Sequence, residues 1–254
     1  MSIASKQLMF VAISLGGLMT MFFVPPIPQD PGYHQFADNG SFLWIPNTAN
    51  VLSNLIFAGV GVVGLYCLLL KKSLLIQPEI HSAYLFFFTA LVLVAIGSGY
   101  YHWAPDNQTL VWDRLPMTIA FMAFFSILLA ERISIPLGRR LLPLLLVAGI
   151  ASVAYWYYSE QMGQGDLRPY ALIQLLPIVL TPLILLMFPS RFTRSADIWW
   201  FLVWYLIAKV FEQLDGPLLD WLVIISGHSL KHIAAGIGCL VFLRHLHCRR
   251  LISA

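Results

Sequence analysis

Charge is scarce in this chain: Asp, Glu, Lys and Arg supply 11% of its 254 residues, where a soluble domain carries about a quarter. Apolar residues make up 59% and the mean hydropathy is +0.78. Those proportions exclude a water-soluble globular domain and define an integral membrane protein. Cysteine is nearly absent: Cys67, Cys239 and Cys248 are the three in the chain and show no paired spacing. All three map to the cytoplasmic half of the topology derived below, where thiols stay reduced, so neither a disulfide framework nor a thiolate metal site is expected. The excess of basic residues is small, +3, and it is spread over short loops, which argues against a nucleic-acid partner. Ser/Gly-rich linkers and internal repeats are also missing, leaving one helical domain.

What is present is a series of apolar segments, most of them about 17 to 25 residues long as a spanning helix requires. Eight can be marked, at Gln7–Val24, Thr48–Leu70, Ala83–Tyr101, Trp112–Ala130, Leu141–Tyr158, Tyr170–Phe188, Ile198–Phe211 and Ser226–Leu243. The seventh is short and is expected to extend to about Asp215; Leu218–Ile225 then reads as a re-entrant or interfacial piece. The first is read as a retained helix, not a cleaved signal, because no small-x-small site follows Phe22-Phe23-Val24-Pro25-Pro26. Basic residues alternate between loops: Lys6, Lys71, Lys72, Arg132, Arg139, Arg140, Arg191, Arg194, Arg244, Arg249 and Arg250 fall on one side. The other side collects Asp30, Asp38, Asp106, Asp113, Glu160, Asp166, Asp215 and Asp220, with few basic residues beyond Arg114, Arg168 and Lys231. By the positive-inside rule both termini are cytoplasmic.

The residues in apolar sequence whose chemistry suits a metal or catalysis share one end. Ser98 and His102 are four apart, one helical turn, at the outer end of the third segment. Asp113 opens the fourth, and His228 and His232 repeat the four-residue spacing at the start of the eighth. A lone membrane histidine often serves packing or interhelical hydrogen bonding. Two imidazoles one turn apart, with a third at matching depth, suit zinc better. Neutral imidazoles without thiolate or thioether neighbours favour zinc over iron or copper. Three histidines leave a fourth tetrahedral position for water, whose pKa the ion can bring to about 7. Asp113 is then the proton acceptor from that water and the donor to a leaving amine, favoured by the helix dipole if it lies in the first turn. Ser98 can donate to a developing oxyanion; a small residue beside Gly97 and Gly99 also simply permits close helix contact. Asn50, Ser53 and Asn54 face the same mouth as capping or lining residues, and Glu212 or Asp215 are candidates for orienting a histidine. His34 and Asp38 read as solvated.

These residues resemble the alkaline ceramidases, within the CREST group of membrane hydrolases. The likeness lies in Ser98-x-x-x-His102, Asp113 and His228-x-x-x-His232. Flanking matches are Gly97 before the serine, Tyr101 before the first histidine, Asp113-Arg114-Leu115-Pro116-Met117, and an Asn-x-x-Ser-Asn run at Asn50–Asn54. The resemblance implies an all-α membrane protein with a seven-transmembrane-helix core and one extra N-terminal transmembrane helix. Residues 1–46 are then the N-terminal helix and outer loop, 47–245 the core, and 246–254 a cytoplasmic tail. It further implies a zinc-dependent amidohydrolase cleaving the N-acyl amide of ceramide-like sphingolipids that enter from the bilayer. His102, His228 and His232 would be the metal ligands, and Ser98 and Asp113 catalytic. Two departures stand out: Arg114 where an acidic residue is usual, and Lys231 where an aromatic is usual, pointing to an anionic or otherwise different head group. The animal enzymes also hold calcium through acidic residues ahead of the first core helix; Asp30, Asp38 and some amides are all this chain offers there, which argues against calcium. Rival readings are a lipid esterase, since the same oxyanion chemistry serves an ester, and a seven-helix receptor of the adiponectin or progestin type with structural zinc. Short loops and compact size favour a bacterial inner membrane with the site on the periplasmic side, the endoplasmic reticulum being the alternative.

Overall fold

The structure is a computed structural model that describes residues 3–252. It is 77% helical, and no β-strand occurs among the described residues. Helix α1 spans Ile3–Phe23. After an outer loop that contains a 3₁₀ turn at Pro31–His34, α2 (Thr48–Leu52) and α3 (Leu55–Leu65) run on into a π-helical turn at Tyr66–Leu70. Next come α4 (His81–Trp103), α5 (Asn107–Arg132), α6 (Ile135–Gln161) and α7 (Arg168–Met187). The chain closes with α8 (Ala196–Gln213), the short α9 (Asp215–Leu222) and α10 (Gly227–Cys248). This is an all-α integral membrane protein.

Five of the described helical stretches are long and apolar enough to cross a bilayer, or six if α9 and α10, which meet at 101°, count as one broken span. The eight apolar segments all appear as helix, but two fall short of that measure for separate reasons. The apolar part of α1, Leu8–Phe23, is short. Helix α8 carries Asp197, Lys209 and Glu212, and charged groups at membrane depth face protein. The piece expected to be re-entrant is α9, sharply bent from α10.

Helix α4 packs against α3 and α5, α5 against α6, and α8 against α10, while α1 lies on α7. Since lipid tails are as apolar as leucine, packing fit holds these helices together more than exclusion from solvent does. Phe87, Phe124, Phe201 and Phe242 interlock across α4, α5, α8 and α10, with the Phe87–Phe242 and Phe124–Phe242 centroids 5.0 and 5.3 Å apart at near-perpendicular angles. Such edge-to-face pairs are the favoured aromatic geometry. At the end of the bundle away from His102, His228 and His232, Arg249 is buried and makes a two-pronged pair with Glu131, at 2.7 and 2.6 Å. Its guanidinium also donates to the Leu75 carbonyl, and Tyr84 donates to Glu131. The segment after α10 is thereby tied to α5 and to the chain before α4. At the other end α4, α5 and α10 bring their polar residues together.

Candidate metal centre

The site begins with how α4 and α5 meet. Pro116 lies inside α5 and has no N–H, so the carbonyl of Trp112, four residues earlier, loses its helical partner. That carbonyl oxygen points at Gly97 of α4, where an added methyl would overlap it. Proline on one helix and glycine on the other therefore let the two backbones approach at the level of the site. The residues next in sequence, Ser98 and Asp113, are consequently neighbours whose side chains interact. Both are buried.

Helix α5 starts earlier than its apolar pattern indicates. Asp106 accepts from the Thr109 N–H at 2.7 Å while the Asp106 N–H donates to the Thr109 hydroxyl at 3.1 Å, a reciprocal capping box. Asp113 consequently sits in the second turn and not the first, and the helix dipole acts on Asp106 instead. Hydrogen bonding from Thr109 holds the Asp106 carboxyl below its ordinary 3.8.

Three imidazoles converge beside this pair. One ligand nitrogen from each of His102, His228 and His232 lies within 4.8 Å of the others, and all three residues are buried. Their ring centroids are 4.8 to 5.0 Å apart. Nδ1 of His102 and Nε2 of His228 are buried without any hydrogen-bond partner. Buried polar atoms are almost always satisfied, so two orphaned nitrogens on rings of one close cluster are what a metal site predicts. The all-nitrogen donor set suits zinc. His232 is oriented from behind, its Nδ1 lying 2.8 Å from the Ser53 hydroxyl. This is the outer-shell bond that fixes which ring nitrogen faces a metal.

Neighbouring residues set the positions of these rings. The Asn47 amide donates to the His102 carbonyl at 2.8 Å and closes the end of α4. Asp215 accepts from the His228 N–H at 2.7 Å, so it orients the backbone of that histidine and not its ring. Asn50 accepts from the Ser229 hydroxyl at 2.7 Å and donates to the Asp38 carbonyl at 3.1 Å. Glu212 pairs with both Lys209, at 2.6 Å, and Lys231, at 3.1 Å, and takes no histidine.

The outer loop carries contributions that the sequence did not announce. Phe36 lies over the cluster, 4.6 Å from His102 and 4.8 Å from His228 between ring centroids. The Ala37 N–H donates to the second oxygen of Asp215 at 3.0 Å, fastening the loop to α9. His34 is not simply solvated: its two ring nitrogens lie 3.0 Å from the Tyr101 hydroxyl and 3.0 Å from the Asn107 amide oxygen. A loop phenylalanine has no periodicity to betray it. Arg114 turns away from the histidines: its guanidinium stacks 4.0 Å from Trp156 and 4.6 Å from Tyr170, and it donates to Gln29 at 2.7 Å. His81 and His245 lie outside the cluster.

Fold and site together define a polytopic membrane protein with a buried three-histidine group and a serine–aspartate pair beside it. The chain belongs to the ceramidase family, whose family model, described as Ceramidase, matches residues 43–254. No curated protein and no solved structure matches it. Membership suggests hydrolysis of an amide bond in ceramide, and the three-histidine group is compatible with a metal ion.

Proposed function

We propose that this protein is a zinc-dependent intramembrane amidohydrolase that cleaves the N-acyl amide of ceramide-like lipids to a sphingoid base and a fatty acid. The observation that carries this reading is the buried three-histidine cluster with two orphaned nitrogens in a chain of the ceramidase family. His102, His228 and His232 would hold zinc, which when bound supplies Lewis-acid polarisation of the carbonyl and makes water acidic enough to attack near neutral pH. Asp113 takes the proton from the attacking water and passes it to the amide nitrogen as the C–N bond breaks and the new C–O bond is kept. Ser98 donates a hydrogen bond to the oxygen that gains negative charge. Ser53 keeps the His232 ring in register, and Phe36 keeps bulk water from the site.

In the same reading, which the loop charges support, both termini lie in the cytoplasm and the site on the outer side; short loops and compact size support a bacterial inner membrane, the endoplasmic reticulum being the alternative. Residues 1–46 form a helix and a covering loop, 47–245 the catalytic core, and 246–254 the cytoplasmic end. The lipid reaches the site laterally from the bilayer. The test is purified protein offered N-acyl and O-acyl lipids of matched chain length, with and without a chelator. Fatty-acid release from the N-acyl lipids alone, abolished by the chelator and restored by zinc, is the expected result. Release from O-acyl lipids alone would make it an esterase, and no release from any lipid with zinc retained would make the metal structural.

A further inference from the structure

The outer loop reaches its most exposed point at Leu43 and Trp44, 71% and 94% exposed. Both have positive φ, +49° and +66°. They are the central residues of a tight turn closed by reciprocal backbone bonds between Phe42 and Ile45, at 3.3 and 3.0 Å. A turn with positive φ at both central positions favours Asn-Gly or Gly-Gly, because a bulky side chain is strained in the left-handed region. Leucine and tryptophan accept that strain here and, at such exposure, gain little packing from the rest of the chain. Val223 repeats the combination. It ends α9 at φ +68°, where glycine is usual, and is 76% exposed beside Ile224 at 85%. Strained, bulky apolar residues that touch little of their own protein call for a partner outside it.

Both tips stand at the membrane end that holds the histidines. Thr48 opens the membrane-crossing stretch Thr48–Leu70. Its hydroxyl accepts from the Phe42 N–H at 2.8 Å and donates to the Ile45 carbonyl at 2.6 Å, which fixes the turn at the edge of that span. The exposed Leu52 and Leu55 continue the apolar surface along the span. Ile224 stands four residues before His228, at the 101° bend between α9 and α10. We infer that the Leu43–Trp44 turn and the Val223–Ile224 bend insert into the lipid leaflet on the histidine side and anchor the covering loop there. Tryptophan suits that depth, because its ring is apolar and its N–H polar. The anchor is wired to the site: Asn47, three residues past Trp44, donates to the His102 carbonyl. Asp215 accepts from both the Ala37 and the His228 N–H, so Phe36 is held over the rings between two lipid-anchored points. The inference stands on strain and exposure and does not need the hydrolase reading. Joined to that reading, it makes this leaflet the one that supplies the lipid.

The test places full-length protein in nanodiscs of phosphatidylcholine, either plain or brominated on the acyl carbons nearest the headgroup. Trp44 is one of eight tryptophans, so its emission is read as the difference between the parent and Trp44→Phe. The bromines should quench more than half of that emission, and acrylamide in the water should leave it largely unchanged. Quenching by acrylamide with none by bromine would put the turn in water and overturn the inference. Protection from both would mean that protein covers the turn, a second copy of this chain included, and would overturn it equally. A second variant separates anchoring from turn-making. Leu43→Asn together with Trp44→Gly installs the pair this turn prefers, so the turn itself improves while the apolar tip is lost. Hydrogen exchange at the Ala37 and Phe42 amides in discs should be several-fold faster in that variant than in the parent. Equal or slower exchange would show that the turn alone holds the loop, and would overturn the anchoring. Neither readout needs turnover. Inserted tips with no fatty-acid release from any lipid would keep this inference and remove the hydrolase, and release from a protein whose tips lie in water would do the reverse.

Discussion

The carbonyl oxygen of Trp112 faces Gly97 so closely that a single methyl at position 97 would collide with it. Gly99, two residues on, has no atom within 4 Å of where its methyl would stand. Gly97→Ala should therefore push α4 from α5, lower stability by about 1–3 kcal/mol as overpacking does, and separate Ser98 from Asp113. Gly99→Ala should leave both stability and activity near the parent's. Thermal unfolding and lipid hydrolysis on the two variants check this, and equal behaviour of the pair would remove the close-contact explanation.

Metal content distinguishes ligands from bystanders. His102→Ala, His228→Ala and His232→Ala should each lose most of the zinc measured on purified protein, while His81→Ala and His247→Ala should retain it. Ser53→Ala removes the hydroxyl that holds the His232 ring at 2.8 Å and should weaken zinc affinity about 10- to 100-fold, the usual effect of losing such a bond. A competition titration with a chelator measures it.

Catalysts should separate from ligands. Asp113→Asn keeps shape and hydrogen bonding but removes basicity, so zinc should stay while hydrolysis drops about 100-fold or more. Ser98→Ala should keep zinc and lose roughly 10²–10³ in rate. Full activity in Asp113→Asn would sink the proton-transfer role even with the zinc centre intact.

Topology is open to direct labelling. Single cysteines at Asn107, beside the site, and at Arg139, in the first turns of α6, should react with an impermeant reagent from opposite faces of the membrane, with Asn107 outward. Reaction of both from one face would overturn the orientation.

Acid should loosen the start of α5. The Asp106 carboxyl is held below its ordinary 3.8 by its bonds to Thr109. Its stabilising contribution is thus complete above that value and lost as pH falls through the lower, folded one. Asp106→Ala should abolish this acid dependence and cost about 1 kcal/mol at neutral pH. Hydrogen exchange of the first-turn amides of α5 as a function of pH reports on both.

Much of this protein follows from its sequence alone. Low charge and long apolar segments determine an all-helical membrane protein, because no other hydrogen-bonded arrangement of such segments satisfies the backbone in lipid apart from a closed barrel. The four-residue spacings put Ser98 with His102 and His228 with His232 on common helix faces, and the alternation of loop charge puts them at one end. These signals are local or additive along the chain, so they can be read without coordinates. Packing decided the rest. Phe36 touches the histidines across a large sequence separation and nothing periodic marks it; Ser53 was placed at the mouth by the sequence, but its partner His232 is fixed only by packing. Asp113 looked like a first-turn residue because hydropathy begins at Trp112, yet the Asp106–Thr109 box starts the helix in polar sequence. Nothing in the sequence around Arg114 marks the aromatic faces of Trp156 and Tyr170 or the amide of Gln29 that hold its guanidinium. Which way a side chain turns depends on partners brought close only when distant helices meet, and that information is absent from any one stretch of sequence.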